Sequence, residues 1–268
     1  MMKKVLSRVY VAFIFLFLYV PIVVLVFYSF NKSKSRGIFS GFTLNWYQEL
    51  FSNDLILHSF LNTIIVASVS SILATFIGTF AAIGINSFNK NIKNTIMGIT
   101  YVSIINPEIV TGVSLMLLFV ILKIKFGFTT LILAHITFNI PYVILNVLPK
   151  LKQQDNSLYE AALDLGCTPF IAFWKVVIPD ILPGIIAGFL MALTYSLDDF
   201  VVSYFTSGIT SQTLPITIYS MTRKRVSPEI NAISTIIFIV VLITLLIINF
   251  REIKKERILK QSKRKNNI

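Results

Sequence analysis

Three carboxylates lie within long apolar stretches of the sequence, where an ionised group is costly. Glu108 follows a proline break in one stretch, and Asp198 and Asp199 are adjacent in a later one. No lysine or arginine lies inside any of these stretches to neutralise them. Acids in lipid are usually functional, and they either hold a proton or attract an external cation. The pattern predicts a pathway for a positively charged solute. The alternative is that the acids hydrogen-bond neighbouring helices or pair with a partner subunit.

The composition places these acids in a membrane. Of the 268 residues, 55% are hydrophobic and only 13% are charged, and the mean hydropathy is +0.79. Soluble domains contain about 25% charged residues. An all-α, multispanning membrane protein is therefore predicted, which excludes a cytosolic enzyme. A disulfide scaffold is excluded as well, because Cys167 is the one cysteine, and the two histidines show no metal-ligand spacing.

Six apolar runs are long enough to cross a bilayer, which takes about 20 residues. They lie at 9–30, 60–85, 95–122, 127–148, 184–205 and 231–250. We therefore expect a transmembrane domain over 1–250 with both termini on one side. The positive-inside rule places that side in the cytoplasm, chiefly because of the basic tail 251–268. The tail is expected to lie near anionic lipid and not to bind nucleic acid.

The residues around the acids predict a lined cavity. Asn106-Pro107-Glu108 is the most polar helix break, because proline frees a backbone carbonyl that needs a partner or water. At a rise of about 1.5 Å per residue, Glu108 and Asp198 are predicted to lie at a similar depth of about 20 Å, just outside the midplane. Tyr195 lies one turn before Asp198 and offers a ring for a cation–π contact, and Ser196 offers a hydroxyl. A purely structural role is as plausible for these two residues.

The cytoplasmic segment 149–183 predicts two short helices joined by a sharp turn. Ser157-x-x-Glu160 fits a capping box, and Gly166 is placed to end the first helix in the left-handed region. Thr168-Pro169 predicts the next helix start, and Pro179 is expected to stop that helix. An apolar stripe between them either packs on the ends of the protein's own spans or docks a partner. It consists of Phe170, Phe173, Trp174 and Val177.

The same segment resembles a family signature. Glu160-Ala161-Ala162, then Gly166, then Val176-Val177-Ile178-Pro179 is similar to the EAA motif of ABC-importer permeases, which in that family ends Ile-x-Leu-Pro. The resemblance implies a coupling helix that lies in a cleft of an ATPase subunit. By position, Glu160, Ala161, Ala162 and Gly166 would make that contact.

A wider resemblance covers nearly the whole chain except the tail. The permeases of spermidine/putrescine importers are similar at Gly41-Phe42-Thr43-Leu44, Trp46-Tyr47, Asn62-Thr63, His135-Ile136-Thr137-Phe138, 197–203 and Ser227-Pro228-Glu229. This implies a type I importer permease of the bacterial inner membrane that forms half of a translocation pathway. It also makes Trp46, otherwise a membrane-interface anchor, a candidate for binding-protein contact or outer gating.

The expected partners and cofactors follow from the resemblance. The sequence lacks a G-x-x-x-x-G-K phosphate loop, so we expect a non-catalytic subunit without its own cofactor or metal. ATP and magnesium would bind a partner ATPase dimer, beside a second permease and an extracytoplasmic polyamine-binding protein. The alternatives are an ABC permease for another cationic solute or iron, and a stand-alone secondary transporter, although no convincing internal repeat supports the latter.

Overall fold

The computed structural model describes residues 2–33, 38–224, 229–240 and 242–243. Within these ranges the regular secondary structure is helical, apart from an isolated bridge between Asn31 and Phe42. The helices are α1 Met2–Ser29, α2 Asn45–Ser52, α3 Asp54–Ser87, α4 Lys90–Ile105, α5 Glu108–Ile121, α6 Phe128–Gln153, α7 Asn156–Asp164, α8 Pro169–Ala172, α9 Ile178–Asp198, α10 Val201–Thr206, α11 Leu214–Lys224 and α12 Glu229–Val240. The tail 251–268 and most of the last predicted span lie outside the described residues.

The described residues divide into two compact units. The first contains residues up to Asp54 together with those from Ser220 onward, and the second contains Leu55–Tyr219. The second unit carries α4–α10 and most of α3 and α11. All three predicted intramembrane acids and the predicted coupling segment belong to the second unit.

Four helical segments among the described residues are long and apolar enough to cross a membrane. They are Leu6–Ser29, Asp54–Ser87, Phe128–Gln153 and Pro169–Asp198. A fifth candidate consists of α4 and α5 together, which are bent by 102° at their junction. The count of six spans stays a prediction, because 231–250 is described only in part.

The bend between α4 and α5 changes the depth argument made from sequence. Asn106 and Pro107 both have extended backbones, with ψ of 130° and 134°. Proline drives the residue before it out of the helical region and lacks an N–H for the helix ladder. The predicted break is therefore present, and Glu108 is the first residue of α5, so a depth counted along one continuous helix from residue 95 does not hold.

The run predicted at 184–205 is also interrupted. The helix α9 ends at Asp198, Asp199 is extended with φ −60° and ψ 121°, and α10 begins two residues later. The sequence offers no proline or glycine at this position to announce the break. The Asp199 side chain caps the start of α10 after this break, through hydrogen bonds from the Val202 and Ser203 N–H groups.

The segment 149–183 folds as two helical pieces around a glycine turn, with one correction at its start. The cap of α7 is Asp155, whose carboxylate Oδ1 accepts the Ser157 N–H at 2.9 Å, and not Ser157 itself. This hydrogen bond stabilises the carboxylate and lowers the pKa of Asp155 below its ordinary value. Aspartate caps a helix as well as serine does, so the capping-box pattern was not decisive.

The end of α7 confirms the turn predicted at Gly166. Gly166 has φ of +86°, in the left-handed region that favours glycine. Its N–H donates to the Leu163 carbonyl at 2.9 Å, and the Cys167 N–H donates to the Ala162 carbonyl at 3.1 Å. This pair of bonds is a Schellman motif, which satisfies the last carbonyls of the helix. The first helix therefore ends where the sequence predicts.

The second piece of this segment begins as predicted but does not end at Pro179. Thr168 Oγ1 accepts the Ile171 N–H at 3.4 Å, and Pro169 is the first helical residue. The chain then passes through a π-helical turn at Phe173–Val177 directly into α9, so the prediction that Pro179 stops the helix is wrong. The wider turn lies just before Pro179, where the missing N–H disturbs the ordinary helical ladder.

Small residues allow close contact among the helices of the second unit. The buried valine Val143 of α6 lies between two glycines. A Cβ atom placed on Gly78 of α3 would lie 2.7 Å from Val143 Cβ, and one placed on Gly188 of α9 would lie 3.2 Å from Val143 Cα. These contacts support helix packing as the role of the small-residue spacing in α3 and α9.

Replacing Gly78 by alanine should therefore destabilise the second unit. The new methyl group has no space against Val143, and overpacking of this kind costs about 1–3 kcal/mol. Thermal unfolding of the purified protein in detergent measures the effect. Gly84→Ala is the matched control, because a Cβ on Gly84 meets no atom within 4 Å. Equal unfolding midpoints for the two variants would contradict the packing role.

Candidate functional site

A polar cavity lies in the second unit where the ends of α4 and α9 meet the starts of α5 and α10. Its volume is about 290 Å³, and all three predicted acids line it: Glu108, Asp198 and Asp199. Tyr195, which the sequence also predicts, lines it too. Among the described residues, no lysine, arginine or histidine lines this cavity. The structure thus brings these four residues together in one cavity. Their role in a solute pathway stays a prediction.

The α4–α5 bend positions one wall of the cavity. Asn106 and Thr111 both line the cavity, and Asn106 Nδ2 donates a hydrogen bond to Thr111 Oγ1 at 3.0 Å across the bend. Glu108 lies between them at the start of α5 and is exposed. The bend thus places an accessible carboxylate on the wall, beside an amide and a hydroxyl.

The two adjacent aspartates have different surroundings. Asp198 is exposed at the last residue of α9, whereas the Asp199 side chain is only 6% exposed. The Asp199 carboxylate accepts the Val202 N–H at 3.3 Å and the Ser203 N–H at 2.7 Å, which are unpaired donors of the first turn of α10. Asp199 therefore closes the break that it occupies, while Asp198 remains available to a solute.

A buried histidine behind the cavity wall is a site feature that sequence reasoning missed. His135 is fully buried, and its Nε2 lies 3.0 Å from Ser203 Oγ and 3.6 Å from Asp199 Oδ2. Its Nδ1 lies 2.5 Å from Ser196 Oγ, which is 3.1 Å from Ser70 Oγ. Ser196 is thus 3% exposed and committed to this cluster, and it does not line the cavity.

The aromatic wall contains a second tyrosine that was not predicted. Tyr142 of α6 stacks on Tyr195, with ring centroids 4.3 Å apart and planes at 22°. Both rings line the cavity, as does Phe138. The signal was present in the sequence, since Phe138 and Tyr142 follow His135 at three and seven residues, which is one helical face.

Trp46 lies in the first unit, where its indole is 5% exposed. Its Nε1 donates a hydrogen bond to the Asn31 carbonyl at 2.7 Å. Burial with a satisfied N–H is the usual state of a tryptophan that holds a local fold together. Its proposed contact with a binding protein or its gating role stays a prediction.

The predicted coupling residues lie on an accessible helix. Glu160 and Ala161 are exposed and Ala162 is half-buried on α7, and Gly166 is exposed in the turn that follows. In the apolar stripe, Phe170 is 72% exposed and lies 6.3 Å from the Trp174 ring, measured between centroids. Exposed aromatic rings beside an exposed short helix favour partner docking over packing on the protein's own spans.

These features define a class of protein before any comparison. Apolar helices, a polar cavity at helix breaks and an exposed loop helix are typical of the membrane subunit of a transporter. The chain belongs to the family of binding-protein-dependent transport system inner membrane components, whose family model matches residues 74–258. It is therefore an inner-membrane, multi-pass transport subunit and not an enzyme, and the alternative of a stand-alone secondary transporter is wrong.

Curated relatives are similar over most of the chain. The spermidine/putrescine transport system permease protein PotC of Haemophilus influenzae is 37% identical over 211 residues, which covers 79% of this chain and 82% of the relative. PotC of Escherichia coli K12 is 38% identical over 215 residues, 80% of this chain and 81% of the relative. The putrescine permease PotI of E. coli K12 is 37% identical over 216 residues, 78% and 77% of the two chains.

Solved structures support the fold. A bacterial ABC transporter involved in the import of the acidic polysaccharide alginate has a chain that superposes with a TM-score of 0.71 at 14% identity, covering 92% of this chain and 95% of that chain. A chain of an amino acid ABC transporter gives a TM-score of 0.54 at 22% identity, covering 78% and 99%. The protein has the all-α fold of a type I ABC importer permease.

Proposed function

We propose that this chain is a permease subunit of an ATP-driven spermidine or putrescine importer and forms half of its translocation pathway. The observation that carries the proposal is the cavity itself, in which accessible Glu108 and Asp198 face a space without a basic side chain. Permeases of polyamine transport systems that are 37–38% identical to this chain support the same solute class.

The cavity lining suits an aliphatic polycation. A polyamine carries ammonium groups separated by methylene segments, so it needs separate carboxylates and apolar or aromatic surface between them. Glu108 and Asp198 come from different helices, and the stacked rings of Tyr142 and Tyr195 lie in the same wall. An ammonium group over such a ring gains about 0.5–2 kcal/mol.

The fold itself does not select the charge of the solute. The transporter described as importing an acidic polysaccharide has the same fold at 14% identity. Function depends on the groups grafted onto a fold, so the acids of the lining are the features that specify a cation. A permease for another cation or for iron is the competing proposal, which the uptake experiment below separates.

The remaining subunits are proposed from the family. A second permease would complete the pathway, a dimeric ATPase would bind ATP and magnesium, and an extracytoplasmic polyamine-binding protein would deliver the solute. With both termini in the cytoplasm, the basic tail 251–268 would lie near anionic lipid. The exposed helix α7 would enter a cleft of the ATPase, with Glu160, Ala161 and Ala162 in the contact.

Replacing Asp198 by asparagine should sharply reduce polyamine uptake. The substitution removes one accessible negative charge with almost no change in shape, and a loss of at least about tenfold is expected, equivalent to about 1.4 kcal/mol. Uptake of labelled spermidine by a deficient strain that expresses the complete set of transporter subunits measures it. Asp180→Asn is the matched control, because Asp180 is an exposed acid of the same helix outside the cavity.

The same strain separates the competing proposals. Uptake of labelled spermidine or putrescine by the wild-type transporter supports the polyamine class. Uptake of labelled iron or of a different cation, without polyamine uptake, would contradict the polyamine proposal and support the competing one. Normal polyamine uptake by the Asp198→Asn variant would show that this carboxylate does not carry the solute.

Tyr142 should contribute its ring and not its hydroxyl. Tyr142→Phe keeps the stacked face against Tyr195 and should preserve uptake, whereas Tyr142→Leu should reduce uptake about three- to tenfold through loss of the cation–π surface. Initial rates of spermidine uptake measure both variants. Tyr101→Leu is the control, since Tyr101 is an exposed ring of α4 that does not line the cavity. An equal loss in Tyr142→Phe and Tyr142→Leu would assign the effect to the hydroxyl.

Reversing the charge of Glu160 should uncouple ATP hydrolysis from transport. Lysine at this exposed position of α7 opposes any contact that the carboxylate makes with the ATPase, and like-charge contacts at interfaces cost several kcal/mol. We expect reduced binding-protein-stimulated ATPase activity in vesicles with little change in the amount of purified chain. Asp180→Lys provides the same charge reversal within segment 149–183 but in the first turn of α9, outside α7. Equal stimulation of both variants would argue against docking at Glu160.

A further inference from the structure

We propose that His135 is a positioning residue that fixes Asp199 as the clamp of the α9–α10 break, so that Asp199 holds the cavity wall together while Glu108 and Asp198 receive the solute. This inference rests on the proposed cation pathway, but its structural part is measurable without any solute. It separates three acids that look equivalent in the sequence into one structural carboxylate and two accessible ones.

The hydrogen bonds of Asp199 already occupy its carboxylate. Its Oδ1 accepts the Val202 N–H and its Oδ2 accepts the Ser203 N–H, at 3.3 and 2.7 Å. The first N–H groups of a helix have no partner within the helix, and a carboxylate is a strong acceptor for them. With a nearly buried side chain, Asp199 cannot give up these bonds to a passing ammonium group without exposing unpaired donors.

His135 is placed to hold that carboxylate from behind. The Nε2 atom lies 3.0 Å from Ser203 Oγ and 3.6 Å from Asp199 Oδ2, so a hydrogen on Nε2 would donate to the serine hydroxyl and face a carboxylate that can only accept. The Nδ1 atom is fixed on the opposite side of the ring by the hydroxyl of Ser196. A single imidazole therefore links α6 to the last turn of α9 and the first turn of α10.

The clamp also determines where Glu108 lies. The helix α10 packs directly on α5, because a Cβ atom on Gly112 would lie 3.0 Å from Phe205 Cδ2 and 3.4 Å from Val202 Cα. Gly112 follows Glu108 by one helical turn on α5. A displacement of α10 would therefore move the start of α5 and the carboxylate that it presents to the cavity.

The direct test is hydrogen–deuterium exchange of α10 in the purified transporter complex. Asp199→Ala removes the acceptor for the Val202 and Ser203 amides, and His135→Leu removes the support of that acceptor. We expect both variants to exchange these amides about tenfold faster than the wild type, with unchanged exchange in α3 as evidence of an intact bundle. Unchanged exchange of α10 in either variant would overturn the inference.

Conservative variants distinguish a positioning role from general destabilisation. Asp199→Asn keeps one oxygen acceptor, which can still take the Ser203 N–H on the side that faces His135, so it should retain more exchange protection and more uptake than Asp199→Ala. His135→Gln should likewise retain more than His135→Leu. Thr137→Ala is the control on the same helix, since the Thr137 hydroxyl bonds only its own helix, at the Leu133 carbonyl.

Uptake measured on paired variants completes the test. His135→Leu combined with Asp199→Ala should be no worse than either change alone, whereas His135→Leu combined with Asp198→Asn should multiply the losses. If Asp199→Asn abolishes uptake as fully as Asp198→Asn while α10 stays protected, Asp199 is a solute ligand and the inference is wrong. If the wild type takes up no polyamine, the proposed function fails, but the exchange result still decides the clamp.

Discussion

The structure depends on one constraint, which is that a charged or polar group away from water needs a partner. In the described part of the second unit this constraint is met unequally by the three intramembrane acids. Asp199 is satisfied by two backbone N–H groups and faces His135, whereas Asp198 and Glu108 are exposed to the cavity. The same requirement that makes a buried carboxylate costly thus separates one hydrogen-bonded, nearly buried carboxylate from two accessible ones, to which the proposed function assigns the solute.

The helix breaks follow from the same requirement applied to the backbone. Non-helical backbone at membrane depth is tolerated only where it is buried in protein or lines a cavity. Both interruptions in this chain meet that condition, because the Asn106 amide spans one and the Asp199 carboxylate closes the other. Each break also places a carboxylate on the cavity lining. Glu108 lies at the start of α5, and Asp198 lies at the end of α9. The residues at the two helix breaks therefore form the lining of the cavity.

The sequence predicts the class, the acids and the coupling turn because each of these depends on local patterns. The turn at Gly166 is an example, since only a few residues and one positive φ define it. The sequence does not predict the α10 clamp, because the hydrogen bonds of His135 join it to Ser196 and Ser203, 61 and 68 positions away, and no local pattern records them. For the same reason Ser196 was assigned to the pathway although its hydroxyl is held by His135. Pro107 predicts a helix break from the sequence. The size of the bend, 102° between α4 and α5, depends on packing and could not be predicted.

A transport cavity also has to release what it binds, and the difference in exposure between the acids serves that need. A fully desolvated, unpaired carboxylate would bind an ammonium group too tightly for turnover. A fully solvated carboxylate would bind the ammonium group only weakly, because water screens the attraction. In the proposed pathway, Glu108 and Asp198 are accessible to water, so their attraction for a cation would be moderate and would be spread over two helices. Since these helices meet at breaks, a rearrangement of either one separates the two acids and weakens both contacts together. In a transporter that alternates between two openings, this provides tight enough capture on one side and release on the other without any change in the residues themselves.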